Sequence, residues 1–544
     1  MPKTFKGWFW LGCGAVGIGA ILVFLLGSGW LGFRLWQLEW KPQGQTDLRF
    51  TQVDIPFENE SDITKLTGSL PFMAGVVIDV DGDWADEVFL GGGRGQSDAL
   101  LTWDETSGAF IDVTAEHGII KQADDATMGG ASIDVDGNGW TDLLVARESG
   151  IWLYLNEGGH LSGERLPLEI NDNSTPLSIA LGDINKDGQV DFYVSGYIKN
   201  SRVTGQTNFD VDYGGFSHLF INAGDLTWRD ATEEYGLSSQ HNRFAAVFAD
   251  TDNDGDSDLI IAQDTGLVEM YENTGTPPMQ PVANPSIASY PMGVAAGDFN
   301  NDGLTDFFFS NVGHTMPTPM VRGNLPGDAD FNPLYMLFEN EGRNVFTDTA
   351  KATKTARLGF GWGTVAADMN LDGWDDLIVA QNYAKFSNAA VVHRYTGKIL
   401  QNMGGETFAP VEKRAGAVNR LFAISPLVGD FNGDHLPDLI WANLKGPAQA
   451  FINATPDRGW IEIRVPDTAA YLNARIEIEL GTHTLHRQII ASQGLASDQS
   501  HKLIIGLGAA GQADSITFIQ ANGHTNTETN VAAGTVLDWA TPAP

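Results

Sequence analysis

The stretch Asp134-Val135-Asp136-Gly137-Asn138-Gly139-Trp140-Thr141-Asp142, followed at once by Leu143-Leu144-Val145-Ala146, decides how this chain is read. Oxygen-bearing side chains stand at positions 1, 3, 5 and 9 of the segment, with glycine at position 6. Such alternation lets one turn wrap a hard cation, while a backbone carbonyl at position 7 completes the shell and glycine permits the bend. The pattern recurs at Asp183-Ile-Asn185-Lys-Asp187-Gly-Gln-Val-Asp191 and at Asp250-Thr-Asp252-Asn-Asp254-Gly-Asp-Ser-Asp258. Further copies supply Asp298, Asn300, Asp302 and Asp306; Asp368, Asn370, Asp372 and Asp376; and Asp430, Asn432, Asp434 and Asp438. The first copy, carrying Asp79, Asp81, Asp83 and Asp86, reads as one residue short. Seven turns in register predict up to seven bound Ca²⁺ ions, with these residues as ligands.

An EF-hand would need flanking helices and a bidentate Glu at position 12. That position falls here on Val145, Val194, Ile261 and Phe309, inside short β-branched or aromatic runs such as Asp306-Phe-Phe-Phe-Ser310. Those runs read as buried strands, so the acidic segments join strand to strand.

Each turn belongs to a larger repeat. The turns begin at Asp79, Asp134, Asp183, Asp250, Asp298, Asp368 and Asp430, a spacing of roughly 50 to 70 residues that signals a propeller or solenoid. A small-residue strand precedes each turn, as in Gly361-Trp-Gly-Thr-Val-Ala-Ala367, and an apolar strand follows it. A third strand ends in Asn, as at Asn156, Asn222 and Asn340, and a fourth opens on an aromatic, as at Phe110, Trp228 and Phe346. Four strands per unit is the blade of a β-propeller, and seven units predict seven blades over residues 50–454. The seventh unit lacks an aromatic fourth strand, whereas Phe50-Thr-Gln-Val-Asp54 stands unassigned ahead of the first turn. Pairing the two would close the ring without an exposed edge.

From about residue 455 the pattern changes to period-two strands such as Trp460-Ile-Glu-Ile-Arg-Val465 and Arg475-Ile-Glu-Ile-Glu-Leu480. Residues 455–544 are therefore expected to form a small β-sandwich appended to the propeller. The expected fold class is all-β throughout, apart from an N-terminal transmembrane helix.

That helix is read over residues 7–33, an uncharged run long enough, at about 1.5 Å per residue, to cross a hydrocarbon core of about 30 Å. Residues 1–6 would be a short cytoplasmic tail and 34–49 a linker. Extracellular calcium modules bind weakly, at about 10⁻⁴ to 10⁻³ M, a level that the cytosol does not supply. The bulk of the chain is thus expected to be periplasmic or extracellular, and secreted if the helix is cleaved. A lone Cys13 excludes an intrachain disulfide framework. A formal charge of −37 with no basic stripe argues against nucleic acid.

The longer units carry extra residues between their second and third strands, on the face away from the turns, and loops on a rigid scaffold concentrate binding residues. These insertions hold Tyr197, Tyr213, His314, Arg322, Tyr383, Lys385, His393, Arg394 and Tyr395. Arg243, Arg357 and Arg420 each precede a first strand, a placement that would ring them around one mouth of the channel, as blade-to-blade ties or as cations for an acidic ligand. Catalytic motifs of the hydrolase, zinc-protease and nucleotide-binding kinds are absent, so no enzyme is expected.

The seven turns with their flanking strands resemble the FG-GAP/VCBS repeats of integrin α-subunit propellers. Ser497-Asp-Gln499-Ser-His501-Lys-Leu-Ile-Ile-Gly506-Leu-Gly508, with Asp514-Ser-Ile-Thr-Phe518 and Asn522-Gly523, resembles the ASPIC/UnbV domain. Together they resemble the cartilage acidic protein family and its bacterial relatives. Two departures stand: Asp498 interrupts the family's Ser-Gln run, and Gln520-Ala521 replaces its Trp-Pro. The resemblance implies a calcium-loaded, extracellular binding protein without established catalysis. The expected partner is a protein or a polysaccharide. The competing expectations are a carbohydrate-active enzyme on the same scaffold and a structural assembly protein of the cell envelope.

Overall fold

Each acidic turn is short because residue pairing on its two sides is already set. Ile133 pairs with Asp142, Gly182 with Asp191, Ala249 with Asp258 and Gly297 with Asp306, so the residue before position 1 always faces position 9. The same register holds for Ala367 with Asp376 and Gly429 with Asp438. In the computed structural model, residues 29, 42–61, 69–121, 124–203, 209–210, 212–315, 318–382, 395–456, 458–481 and 483–539 are described.

Every turn closes the first hairpin of a sheet; the chain then adds a third strand and, in the first six sheets, a fourth in order. The second sheet, for example, runs Thr127–Ile133, Asp142–Arg147, Gly150–Asn156 and Leu161–Arg165. The first strands of the seven turn-bearing sheets are Gly75–Ile78, Thr127–Ile133, Ser174–Gly182, Arg243–Ala249, Val294–Gly297, Gly361–Ala367 and Phe422–Gly429. Each packs against the next, and the last packs against the first, so the sheets close on themselves as a propeller. Nearly all their residues are buried, and the small side chains Gly129, Gly130, Ala245, Ala246, Ala295 and Ala296 let neighbouring strands come close. Adding a Cβ to Gly129 would bring it to 2.0 Å from the Leu177 carbonyl oxygen of the adjoining sheet.

The seventh sheet takes its outer strand from the other end of the chain. Phe50–Glu58 pairs antiparallel with Pro447–Asn453, with Phe50 opposite Asn453 and Asp54 opposite Gln449. This is the pairing expected from the unassigned Phe50–Asp54 stretch.

After Asn453 two smaller sheets form. One orders Leu503–Gly508, Gly459–Arg464 and Thr535–Asp538; the other orders His483–Gln488, Arg475–Leu480, Gln512–Ile519 and Thr525–Ala532. Ile461, Ile463, Ile476, Ile478, Ile505, Ile516 and Phe518 share one core between them. One short strand crosses the expected domain boundary at residue 455. Ser497–Asp498 leaves this domain and adds a parallel fifth strand to the first propeller sheet, beside Gly75 and Val76.

The anchor expected over 7–33 and the tail over 1–6 lie outside the described residues, apart from Gly29. Among the described residues no helix is long and apolar enough to cross a membrane.

Candidate functional site: the acidic turns

The first residue of each turn holds the bend with its own carboxylate. The backbone N–H at position 6 donates to one oxygen of the position-1 Asp in all seven turns. Examples are Gly139 to Asp134 at 2.8 Å, Gly255 to Asp250 at 2.9 Å, Gly373 to Asp368 at 2.8 Å and His435 to Asp430 at 3.0 Å. Position 6 has positive φ in every case, glycine in five turns and Trp84 or His435 in the other two. Position 9 anchors the other end. Its carboxylate accepts from the N–H of position 2, as from Val135 to Asp142 at 2.9 Å and from Phe299 to Asp306 at 3.1 Å.

The same carboxylate accepts a second N–H, from the Asn that ends the third strand: Asn156 to Asp142, Asn273 to Asp258, Asn340 to Asp306 and Asn453 to Asp438, at 2.7 to 2.8 Å. The Asn side chain then reaches the preceding sheet. Asn156 donates to the Val80 carbonyl, Asn273 to Ile184, Asn340 to Thr251, Asn402 to Phe299 and Asn453 to Met369. These asparagines therefore staple one turn to the next. The sequence displayed them as strand ends, but nothing in their spacing named the partner.

The first turn corrects the expected ligand set. Ile78 pairs with Glu87, which places Glu87 at position 9, and Val80 N–H donates to the Glu87 carboxylate at 2.9 Å. The turn is of full length, with Glu in place of Asp. Asp79, Asp81 and Glu87 bring carboxylate oxygens within 4.8 Å of one another. Asp86 sits at position 8 and turns away, accepting from the Asp430 N–H at 2.8 Å and the Ser500 hydroxyl at 3.0 Å. Counting nine from Asp79 finds Glu87; an aspartate-only pattern passed over it.

Oxygens also converge in the second turn (Asp134, Asp136, Asp142) and the fourth (Asp250, Asp252, Asp254). In the third, fifth, sixth and seventh turns position 3 is Asn185, Asn300, Asn370 or Asn432, and its side-chain amide donates to the position-5 carboxylate. In the seventh turn His435 leans out to the Glu462 carboxylate of the C-terminal domain at 2.6 Å and stacks on Trp460.

Removal from water dominates the electrostatics. Burial pushes the carboxyls of Asp79, Asp183 and Asp250 up to about 6, those of Asp142, Asp191, Asp258, Asp298 and Asp368 to about 7, and that of Glu87 to about 8. Asp306, Asp376 and Asp438 are raised well above the carboxylate range, again chiefly by burial. Groups held this way favour either a proton or a cation. The oxygen-only donor set fits a hard ion such as Ca²⁺ or Mg²⁺. Three buried oxygens also fit one, because they have no hydrogen-bond partner: Asp252 Oδ1, Asn370 Oδ1 and Asp376 Oδ2. The sixth turn has two of the three: its Met369 N–H goes to the Ala367 carbonyl, not to Asp376, and its Asp372 N–H goes to Asp368 Oδ1, not to Asn370.

Elsewhere the expected candidates are placed differently. Arg243 is buried and donates through two nitrogens to one Glu269 oxygen of its own sheet at 2.9 to 3.0 Å, and to the Ser239 carbonyl at 3.2 Å, so it braces its blade. Tyr197 stacks on Phe244 at 5.2 Å, Phe72 and Trp362 crowd the same centre, and Tyr395 is buried. Aromatic packing thus fills the channel on the side away from the turns. Two insertions lock together there, through Phe209 N–H to Asn324 at 2.8 Å and Asn324 to Asp210 at 2.9 Å. Tyr383, Lys385, His393 and Arg394 lie outside the described residues.

The closed ring of sheets, four-stranded apart from the five-stranded first, defines an all-β, propeller-like protein. Residues 134–194 and 250–309 match the FG-GAP-like repeat, and residues 466–542 match the family described as ASPIC and UnbV. The chain therefore carries FG-GAP repeats followed by an ASPIC/UnbV domain. No curated protein matches it. Among solved structures it is similar to an Agrocybe aegerita lectin that recognises non-reducing terminal N-acetylglucosamine (16% identity, 73% of this chain and 94% of that one, TM-score 0.36). It is also similar to the Dos1 propeller (10% identity, 68% and 75%, TM-score 0.37) and to YCF48 from Cyanidioschyzon merolae (13%, 74% and 98%, TM-score 0.37).

Proposed function

We propose that this chain is a membrane-anchored, extracytoplasmic seven-bladed propeller that binds a protein or polysaccharide partner, with calcium in its turns as a structural ion. The observation that carries the reading is the set of water-poor turn oxygens: carboxylates that converge in the first, second and fourth turns, and the buried, partnerless Asn370 Oδ1 and Asp376 Oδ2 of the sixth. A cation there neutralises carboxylates that otherwise repel one another, and ties the turn of each blade. The C-terminal domain lies over the turns, so the opposite face, where the second and third strands meet, is the surface left for a partner. No catalytic role is assigned. Pull-down from surface extracts with the intact chain, and with the 199–215 and 313–333 insertions shortened, tests the partner claim. Capture should depend on the insertions; equal capture by both forms contradicts the reading.

A further inference from the structure

The channel is stopped at its turn-bearing end by the chain's own C-terminal domain. Gly494 exchanges two backbone hydrogen bonds with Val294, at 2.9 and 3.1 Å. The Ala496 carbonyl accepts from Gly75, and its N–H donates to Ser178 Oγ at 2.8 Å. Ser497 Oγ meets Ser425 Oγ at 2.8 Å, the Gln499 side chain accepts from Val428 at 2.9 Å, and Asp498 accepts from Ser132 at 2.9 Å. Residues 493–499 thereby reach the inner strands of the first, second, third, fifth and seventh sheets. Leu495 and Ala496 are fully buried among them.

Both ends of this segment are held by the acidic turns. On its N-terminal side Arg487 donates to the Gly373 carbonyl at 3.1 Å and pairs with Asp375 at 3.0 Å, while Gln488 donates to the Asp250 carbonyl at 3.1 Å. On its C-terminal side Lys502 donates to the Trp84 carbonyl at 2.6 Å and faces Asp430 at 3.4 Å. Gly506 N–H donates to Asp368 Oδ2 at 3.1 Å, the oxygen that also accepts from Gly373. One carboxylate oxygen of the sixth turn therefore orients both the turn and the docked domain. The fit is tight: a Cβ on Gly506 would stand 2.1 Å from the Leu371 backbone.

We propose that the sixth turn is a cation-operated latch: a divalent ion held by Asp368, Asn370, Asp372 and Asp376 seats the C-terminal domain and keeps residues 493–499 in the channel. The latch rests on the reading that the turns take calcium. The partnerless Asn370 and Asp376 oxygens are where an ion would act, and the Gly506 bond carries its effect to the stopper. Without the ion, Asp368, Asp372, Asp375 and Asp376 crowd one turn, the Asp368 carboxylate reorients, and Gly506 loses its acceptor. Linkage makes the coupling reciprocal, so a seated domain tightens the ion.

Hydrogen exchange read by mass spectrometry on the full chain tests this, with bound calcium counted by native mass spectrometry on the same samples. Removing calcium should speed exchange across 493–499 at least tenfold. Asp376→Asn should lose one ion and speed exchange there with the other turns loaded, whereas Asp191→Asn in the third turn should lose one ion and leave 493–499 protected. Gly506→Ala should expose the segment in saturating calcium and weaken one site by about 5- to 150-fold, the usual size of such coupling. Calcium bound with exchange unchanged on its removal, or equal exposure in Asp191→Asn and Asp376→Asn, overturns the latch. If Asp376→Asn does not fold, calcium titration of the native chain decides, since protection that ignores free calcium also overturns it. Absence of bound calcium in every sample removes the underlying reading instead.

Discussion

Glu87 and Asp86 stand next to each other and do different work. Glu87 accepts the Val80 N–H at position 9 of its turn, while Asp86 accepts the Asp430 N–H and joins the first sheet to the seventh. Glu87→Gln should remove one ion from the native calcium count, and Asp86→Asn should leave that count unchanged while lowering the melting temperature. Loss of an ion in Asp86→Asn alone would reverse the assignment. A staple can be tested in the same way. Asn340 satisfies the Thr251 and Thr305 carbonyls with its side chain, so Asn340→Ala strands buried acceptors. The expected cost is about 1–3 kcal/mol in denaturant unfolding, with bound calcium otherwise retained.

At the scale of elements, the turns govern how stability depends on pH. Burial raises the carboxyls of Asp79, Asp142, Asp258 and Glu87 in the folded chain to between about 6 and about 8, against about 4 when unfolded. A raised folded value favours the protonated form, so this contribution is complete below about pH 4 and is lost as pH rises through 6 to 8. Calcium-free protein should therefore melt at a lower temperature at pH 8 than at pH 5. Saturating calcium should shrink that difference, because the ion takes the place of the protons. A calcium-free melting temperature that rises from pH 5 to pH 8 contradicts the account. The terminal strand makes a separate prediction. Removing residues 50–58 exposes the edge at Pro447–Asn453, and the expected result is self-association in light scattering.

Much of the whole molecule was legible because its repeats are local. Nine residues from Asp134 to Asp142 specify a hairpin, and its recurrence specified the sheets; the leftover Phe50–Asp54 strand pointed to ring closure. What stayed hidden depends on contacts distant in sequence. Ser497–Asp498 reads as part of the C-terminal domain because no local pattern marks a two-residue strand that pairs with Gly75 and Val76. Arg243 reads as a blade-to-blade tie or a channel cation because its partner Glu269 lies two strands further along the same sheet. Asp498 reads as a break in a family motif, yet buried it accepts the Ser132 and Ser492 N–H groups and stands 3.4 Å from His501. The insertions read as surface binding loops, whereas Phe209 packs on Tyr290 and Phe331.

The central claim is that carboxylates of the turns hold cations on which the ring depends. Differential scanning calorimetry of the intact chain, in millimolar calcium and after exhaustive chelation, tests it most directly when paired with a count of bound ions. Several calcium ions per chain, and a transition that falls by many degrees once they are removed, are the predicted result. A chain that binds no calcium and melts identically in both buffers would contradict the account.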